Sequence, residues 1–199
     1  MIIGLTGKSC SGKNRVGRIL KEMGLEVWDL DEIAHDGLDA NSDAIIKLFG
    51  QGVVHQVDGK TCFSRKAISD IVFSDPEMRT KLEGILYPWL KDLVLKWKES
   101  HPDGSLVLNG ALLYRSGFHK LCDYVIYVDA SYYVRQKRAL NRDGISEESF
   151  KLREKSQQDV DFRCVDYEVP LGVVTNDETD MDKLRQQVFN IYDRLIRER

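Results

Sequence analysis

Five short runs of apolar residues recur along the chain: IIGLT (2–6), EVWDL (26–30), SLVLN (105–109), YVIYV (124–128) and GVVT (172–175). Their continuity and their content of Val and Ile predict strands buried on both faces, the habit of a parallel sheet. Between the runs the apolar positions change to a helical period. In GKNRVGRILKEMG, Val16, Ile19, Leu20 and Met23 fall on one stripe, and Gly24 supplies a stop. In MDKLRQQVFNIYDRLIRER, Leu184, Val188, Ile191, Tyr192 and Leu195 form another stripe. Strand–helix alternation of this kind predicts a three-layer α/β/α sandwich around a five-stranded parallel sheet.

The spacing of the strands is uneven. About 75 residues separate the second run from the third, far more than a simple crossover needs. Amphipathic stretches such as RKAISDIVF and EMRTKLEGILYPWLKDLVLKWK lie within this segment. It is expected to be a helical insertion over 35–104, suited to covering a substrate, carried by a core of 1–34 and 105–199. A second, highly charged insertion follows the fourth run at about 135–165 and is expected to be a helical hairpin. Its pattern fits a solvated hairpin and a basic lid over phosphates equally well. No internal repeat or low-complexity tract is present.

Composition narrows the picture only by exclusion. A length of 199 residues suits one domain with insertions and buries a sizeable core without staples. The net charge of −3 argues against a chain built mainly to hold nucleic acid. Cys10, Cys62, Cys122 and Cys164 are scattered, with neither a Cys-x-x-Cys pair nor metal spacing, so no disulfide framework is expected. No apolar run reaches the length of a membrane span, and Met1–Leu5 is too short for a signal peptide. The expectation is a cytoplasmic protein, monomeric, without membrane or nucleic-acid partners.

The chemistry begins at the first strand–helix junction. Gly7 to Asn14 reads GKSCSGKN, one residue away from the phosphate-binding pattern Gly-x4-Gly-Lys-Ser/Thr. In such a loop, backbone N–H groups from Ser9, Cys10, Ser11, Gly12, Lys13, Asn14 and Arg15 wrap phosphates at a helix N-terminus. Lys13 reaches the β- and γ-phosphates, and the next side chain holds Mg²⁺. That side chain is Asn14. At the carboxyl end of the second run, Asp29 and Asp31 lie two apart, on one side of an extended backbone. A carboxylate there can deprotonate an attacking hydroxyl or help to hold Mg²⁺, and Asp31 can equally cap a helix beginning near Glu32. Arg138 and Arg142 share a helix face, as ordinary surface arginines or as a clamp on ATP.

Taken together, these segments resemble the dephospho-CoA kinase family over nearly the whole chain. IIGLTGKSCSGKN is similar to its opening strand and P-loop, and VWDLDEIAH to its Asp-x-Asp-x-Ile-Ala motif. FSRKAISDIVFSDPEMRTKLEGILYPWL resembles the substrate segment, LVLNGALLYRSGFHKLCDYVIYVDAS the third and fourth strands, and VVTND the closing strand with Asn176. Arg138, Arg142, RDGISEE and Gln157 follow the lid pattern. The resemblance implies a P-loop kinase that transfers the ATP γ-phosphoryl group to the ribose 3′-hydroxyl of dephospho-CoA, with ATP and Mg²⁺ as cofactors. It implies that Asp31 is the general base and Lys13 its catalytic partner, and that Asn14 lies at the metal. Asp31, His35, Arg65 and Tyr87 would contact dephospho-CoA, while Arg138, Arg142 and Asn176 would serve ATP.

The sequence also departs from the family. Asn14 replaces the P-loop hydroxyl, and Tyr87 stands before Pro88 where His is usual. LNGALLYRSG replaces Asp-x-Pro-Leu-Leu-Phe-Glu, so that Asn109, Ala111 and Arg115 stand for an acid, a proline and a second acid. The stretch QQDVDFRCVDYEVP lacks part of the basic lid pattern. Two alternatives therefore stay open: another P-loop nucleoside or nucleotide kinase, and a nucleotide-binding relative with weakened catalysis.

Overall fold

The computed structural model describes residues 1–57, 59–157, 160–162, 168–177 and 180–197. In chain order the elements are β1 (Ile2–Thr6), α1 (Lys13–Glu22), β2 (Glu26–Asp29), α2 (Leu30–Ala40), α3 (Ser42–Phe49), β3 (Val54–Val57), β4 (Lys60–Phe63), α4 (Arg65–Ser74), α5 (Pro76–Ser100), β5 (Leu106–Asn109), β6 (Tyr124–Asp129), α6 (Tyr132–Asp143), α7 (Glu147–Ser156), β7 (Leu171–Thr175) and α8 (Met181–Arg197). They form two compact units, Met1–Asp29 with Pro102–Arg199, and Leu30–His101.

The first unit is built on a five-stranded parallel sheet in the order β2-β5-β1-β6-β7. The central strand β1 pairs with β5 through Leu5 and Asn109, and with β6 through Leu5 and Ile126. Alternate residues divide between the two faces. Ile3, Leu5, Val107, Tyr124, Ile126 and Val128 meet Val16, Ile19 and Leu20 of α1 and Leu184 and Val188 of α8 in one core. Gly4 points the other way, where a Cβ would come within 2.5 Å of the Leu113 side chain, so the strand packs too closely there for any larger residue. The chain departs from β1 toward β2 on one side, and β6 and β7 lie on the other. The carboxyl end of β1 is thus a switch point, where open parallel sheets bind ligands.

The expected fold class is what the chain adopts, with one boundary corrected. The second strand stops at Asp29, because Leu30 already opens α2. Asp29 and Asp31 therefore do not share one side of an extended segment. Asp31 lies inside the first helical turn, neither on the strand nor ahead of a helix at Glu32.

In the second unit, Leu38, Ile45, Val53, Phe63, Ile68 and Leu86 form a separate core. Helix α5 runs for 25 residues, with Pro76 in its first turn and the Asp75 side chain accepting from Glu77 N and Met78 N. Gly37 of α2 lies under Trp89, whose ring a Cβ would approach to 2.9 Å. The insertion is not wholly helical. An antiparallel hairpin joins Val54–Val57 to Lys60–Phe63, with Gly59 at φ 74°. No helix of the described residues is long and apolar enough to cross a membrane.

Candidate active site

The first strand–loop–helix unit is shaped for an anion. Two glycines hold conformations that side chains resist: Gly7 at φ 147° and Gly12 at φ 101°. A Cβ on Gly7 would lie 2.3 Å from Val128 O, and one on Gly12 would lie 2.1 Å from Asn176 Nδ2. Cys10, between them, takes φ 62°, a left-handed conformation that a non-glycine residue adopts only under constraint. Gly12 precedes Lys13 at the start of α1 and offers no side-chain cap, and no acid stands in the first turn. Arg15 N donates to Gly12 O at 2.9 Å, and the positive dipole end of α1, with neither a side-chain cap nor an acid of its own, suits an anion. Lys13 Nζ donates to Gly7 O at 3.0 Å, folded across the loop, while Asn14 and Arg15 are exposed.

Two side chains hold this loop by its carbonyls. Asn176, just past β7, donates to Ser11 O at 2.6 Å. Arg138 on α6 donates to Asn176 O at 2.7 Å, Ser11 O at 3.3 Å and Cys10 O at 3.4 Å. Burial, followed by the nearby charge of Arg15, lowers the Arg138 pKa from the usual guanidinium value. Arg138 and Asn176 thus shape the loop by hydrogen bonds to its main chain. A groove of about 230 Å³ beside Asn176 is lined by Asp177, Asp180, Lys183 and Gln187 among others. Arg142 belongs to α6, but its side chain lies outside the described residues.

Helix α7 approaches the loop from its other flank. Lys8 Nζ donates to Glu154 at 2.7 Å and lies 3.5 Å from Asp161, and Arg135 donates to the second oxygen of Glu154. Gln157 Oε1 accepts from Ser9 N at 2.8 Å, and Arg115 donates to Ser156 O at 2.8 Å. Burial pushes the Glu154 carboxyl pKa up, but hydrogen bonds from Arg135 and Lys8 outweigh it and hold the pKa below the ordinary value. No local sequence pattern marks Lys8, Arg135 or Glu154. Only Gln157 in this group was legible as part of a lid. Much of QQDVDFRCVDYEVP lies outside the described residues.

The carboxyl ends of β2 and β5 stand side by side, with Asp29 and Asn109 in register. Asn109 Nδ2 donates to Asp29 Oδ2 at 3.2 Å and to Asn14 Oδ1 at 3.1 Å. Because a carboxylate only accepts, Asp29 fixes which way the Asn109 amide faces, and Asn14 must then present its oxygen. Asn109 Oδ1 is buried and has no hydrogen-bond partner. No cluster of three or more His, Cys, Asp or Glu side chains able to hold a metal occurs among the described residues. The donors gathered here are all oxygens, which suit a hard cation carried largely by a nucleotide's own phosphates.

The remaining candidates belong to the second unit. Asp31 is exposed in the first turn of α2, and His35 is half-buried one turn on. Arg65 is exposed at the first position of α4, and Tyr87 is half-buried in α5 before Pro88.

Comparison with known proteins gives a consistent picture. The family model described as dephospho-CoA kinase matches residues 1–190. A dephospho-CoA kinase of Aquifex aeolicus is 32% identical over 202 aligned positions, covering 98% of each chain. One of Fusobacterium nucleatum is 36% identical over 159 positions, 79% of this chain and 81% of that one. Among solved structures, a crystal structure from Thermus thermophilus superposes with a TM-score of 0.79 at 27% identity, covering 98% of this chain and 97% of the other.

Proposed function

Because the chain belongs to the dephospho-CoA kinase family, we propose that it phosphorylates the ribose 3′-hydroxyl of dephospho-CoA with ATP, the last step of coenzyme A synthesis, using the residues assigned below. The observation that carries the reading is the uncapped start of α1 behind a glycine-shaped loop, with Lys13 beside it. Lys13 and the loop at the start of α1 bind the β- and γ-phosphates, with Ser9 N released from Gln157, Ser11 N from Lys8 O and Arg15 N from Gly12 O wherever these groups turn to the nucleotide. Arg138 and Asn176 keep the loop in the conformation that aims those groups. Asn14, held by Asn109, and Asp29 would hold a Mg²⁺ ion, which would supply neutralisation of phosphate charge.

Phosphoryl transfer asks the protein mainly for positioning and charge neutralisation. Asp31 accepts the 3′-hydroxyl proton as the new O–P bond forms. The bond from the γ-phosphorus to the bridging oxygen breaks, ADP carries that electron pair, and Lys13 stabilises the charge. His35, Arg65 and Tyr87 bind dephospho-CoA on the insertion, and Arg142 assists at the phosphates. Support for Asp31, His35, Arg65, Tyr87 and Arg142 comes from their positions in the family motifs.

A thermal-shift panel with a non-hydrolysable ATP analogue and Mg²⁺ tests the acceptor. Dephospho-CoA should raise the melting temperature more than any nucleoside or nucleoside monophosphate. A larger rise with a nucleoside would overturn the assignment in favour of a nucleoside kinase. The loss of the acid at Asn109 favours a second reading, a nucleotide binder without turnover, which predicts ATP binding and no acceptor-dependent ADP release at any Mg²⁺ or Mn²⁺ concentration.

A further inference from the structure

Three observations meet at the carboxyl ends of β2 and β5. The hydroxyl that follows the P-loop lysine in the general pattern is replaced by Asn14. The neighbouring strand ends in Asn109 where the resemblance leads one to expect an acid, and the two replacement side chains are hydrogen-bonded to each other at 3.1 Å. The same Asn109 amide donates to Asp29, while its oxygen, on a residue only 5% exposed, has no partner. A buried acceptor without a donor is expensive, and such groups in a native fold await a ligand or water.

Two independent changes would not be expected to produce this fit. A Ser at position 14 with Asn109 in place would withdraw the acceptor that Asn109 Nδ2 reaches. An Asp at 109 with Asn14 in place would set a carboxylate against the Asp29 carboxylate and draw the Asn14 Nδ2 inward in place of its oxygen. Changed together, Ser and Asp make a new donor–acceptor pair. We propose that Asn14 and Asn109 are a matched substitution, in which Asn109 is a positioning residue that aims Asn14 Oδ1 and the Asp29 carboxylate at the nucleotide-bound cation. Its own buried oxygen then accepts from a water held by that cation. Relative to a Ser–Asp pair, the site has given up one formal negative charge and one side-chain oxygen, two in place of three. This inference rests on the reading of the chain as a Mg·ATP-dependent kinase.

The test is a double-mutant cycle over wild type, Asn14→Ser, Asn109→Asp and the double variant. Two readouts need neither acceptor nor turnover. One is the melting temperature without ligand. The other is the Mn²⁺ concentration giving half-maximal binding of a non-hydrolysable ATP analogue. Each single variant should melt lower and need roughly five- to tenfold more Mn²⁺, whereas the double variant should return to within about twofold of wild type. Independent effects that simply add in either readout would overturn the pairing, as would Mn²⁺-independent nucleotide binding by the wild type. A failure to phosphorylate dephospho-CoA would count against the functional reading and leave both readouts of the pair intact.

Discussion

The two sides of the candidate site are built on different principles. On the proposed phosphate side, recognition would rest on main-chain groups at an uncapped helix start, set by Gly7 and Gly12 and braced at the carbonyls by Arg138 and Asn176. On the proposed cation side it would rest on side chains: Asn14, Asn109 and Asp29. The difference bears on two of the positions where the sequence departs from the family pattern, Asn14 and Asn109. Main-chain groups are the same in every residue, so the phosphate side depends on backbone conformation, set by Gly7, Cys10 and Gly12. Side-chain groups carry their own donors and acceptors, so the proposed pairing couples Asn14 to Asn109.

The sharpest way to break the phosphate side is at Lys13, the side chain proposed to reach the phosphates. Lys13→Ala should lower kcat/KM about 10²- to 10³-fold, as removing a preorganised charge from a transferring group does, while leaving the melting temperature close to wild type. Steady-state kinetics beside a thermal melt checks both halves. Gly12→Ala should act through the backbone. It places a Cβ 2.1 Å from Asn176 Nδ2 at φ 101°, which costs roughly 1–3 kcal/mol and should loosen the loop. Denaturant unfolding measures the loss, and calorimetry with an ATP analogue should show weakened binding.

Smaller effects belong to the α7 flank. Glu154 holds a folded-state pKa below its ordinary value, so its contribution is complete above the ordinary carboxylate range and is lost as pH falls through the lowered one. Glu154→Gln should therefore melt a few degrees below wild type at neutral pH, with the gap closing in acid. A gap that stays constant from neutral to acidic pH would show that the Lys8–Glu154–Arg135 network contributes no charge-dependent stability.

What the sequence disclosed, and what it hid, follows from the range of the interactions. The strands of the sheet and the helices α1 and α8 are local patterns of apolar residues, and they stand within a residue or so of their expected ends. The hairpin at 54–63 was overlooked because its strands, VHQV and KTCF, are short and largely polar. The Asp58–Gly59 dipeptide between them is a turn signal that outranks the helical context. The start of α2 was misjudged because the apolar run continues through Leu30, whereas the strand's pairing with β5 ends at Asp29. Least legible were contacts between distant residues. Lys8 and Glu154 are 146 positions apart, and Asn14 and Asn109 are 95 apart. No local pattern joins such residues. The sequence raised Asn14 and Asn109 as two separate anomalies, and only the folded chain makes them one feature.

The central claim is that Lys13 and Asp31 drive phosphoryl transfer to dephospho-CoA. Its most direct test is ADP release with ATP and Mg²⁺, with and without dephospho-CoA, for wild type, Lys13→Ala and Asp31→Asn. The account predicts release by the wild type that requires dephospho-CoA and stops with a metal chelator. It predicts a loss of about 10²- to 10⁴-fold for Asp31→Asn, as removal of a general base brings, and a similarly deep loss for Lys13→Ala. Equal turnover by all three proteins, or release indifferent to dephospho-CoA, would contradict it.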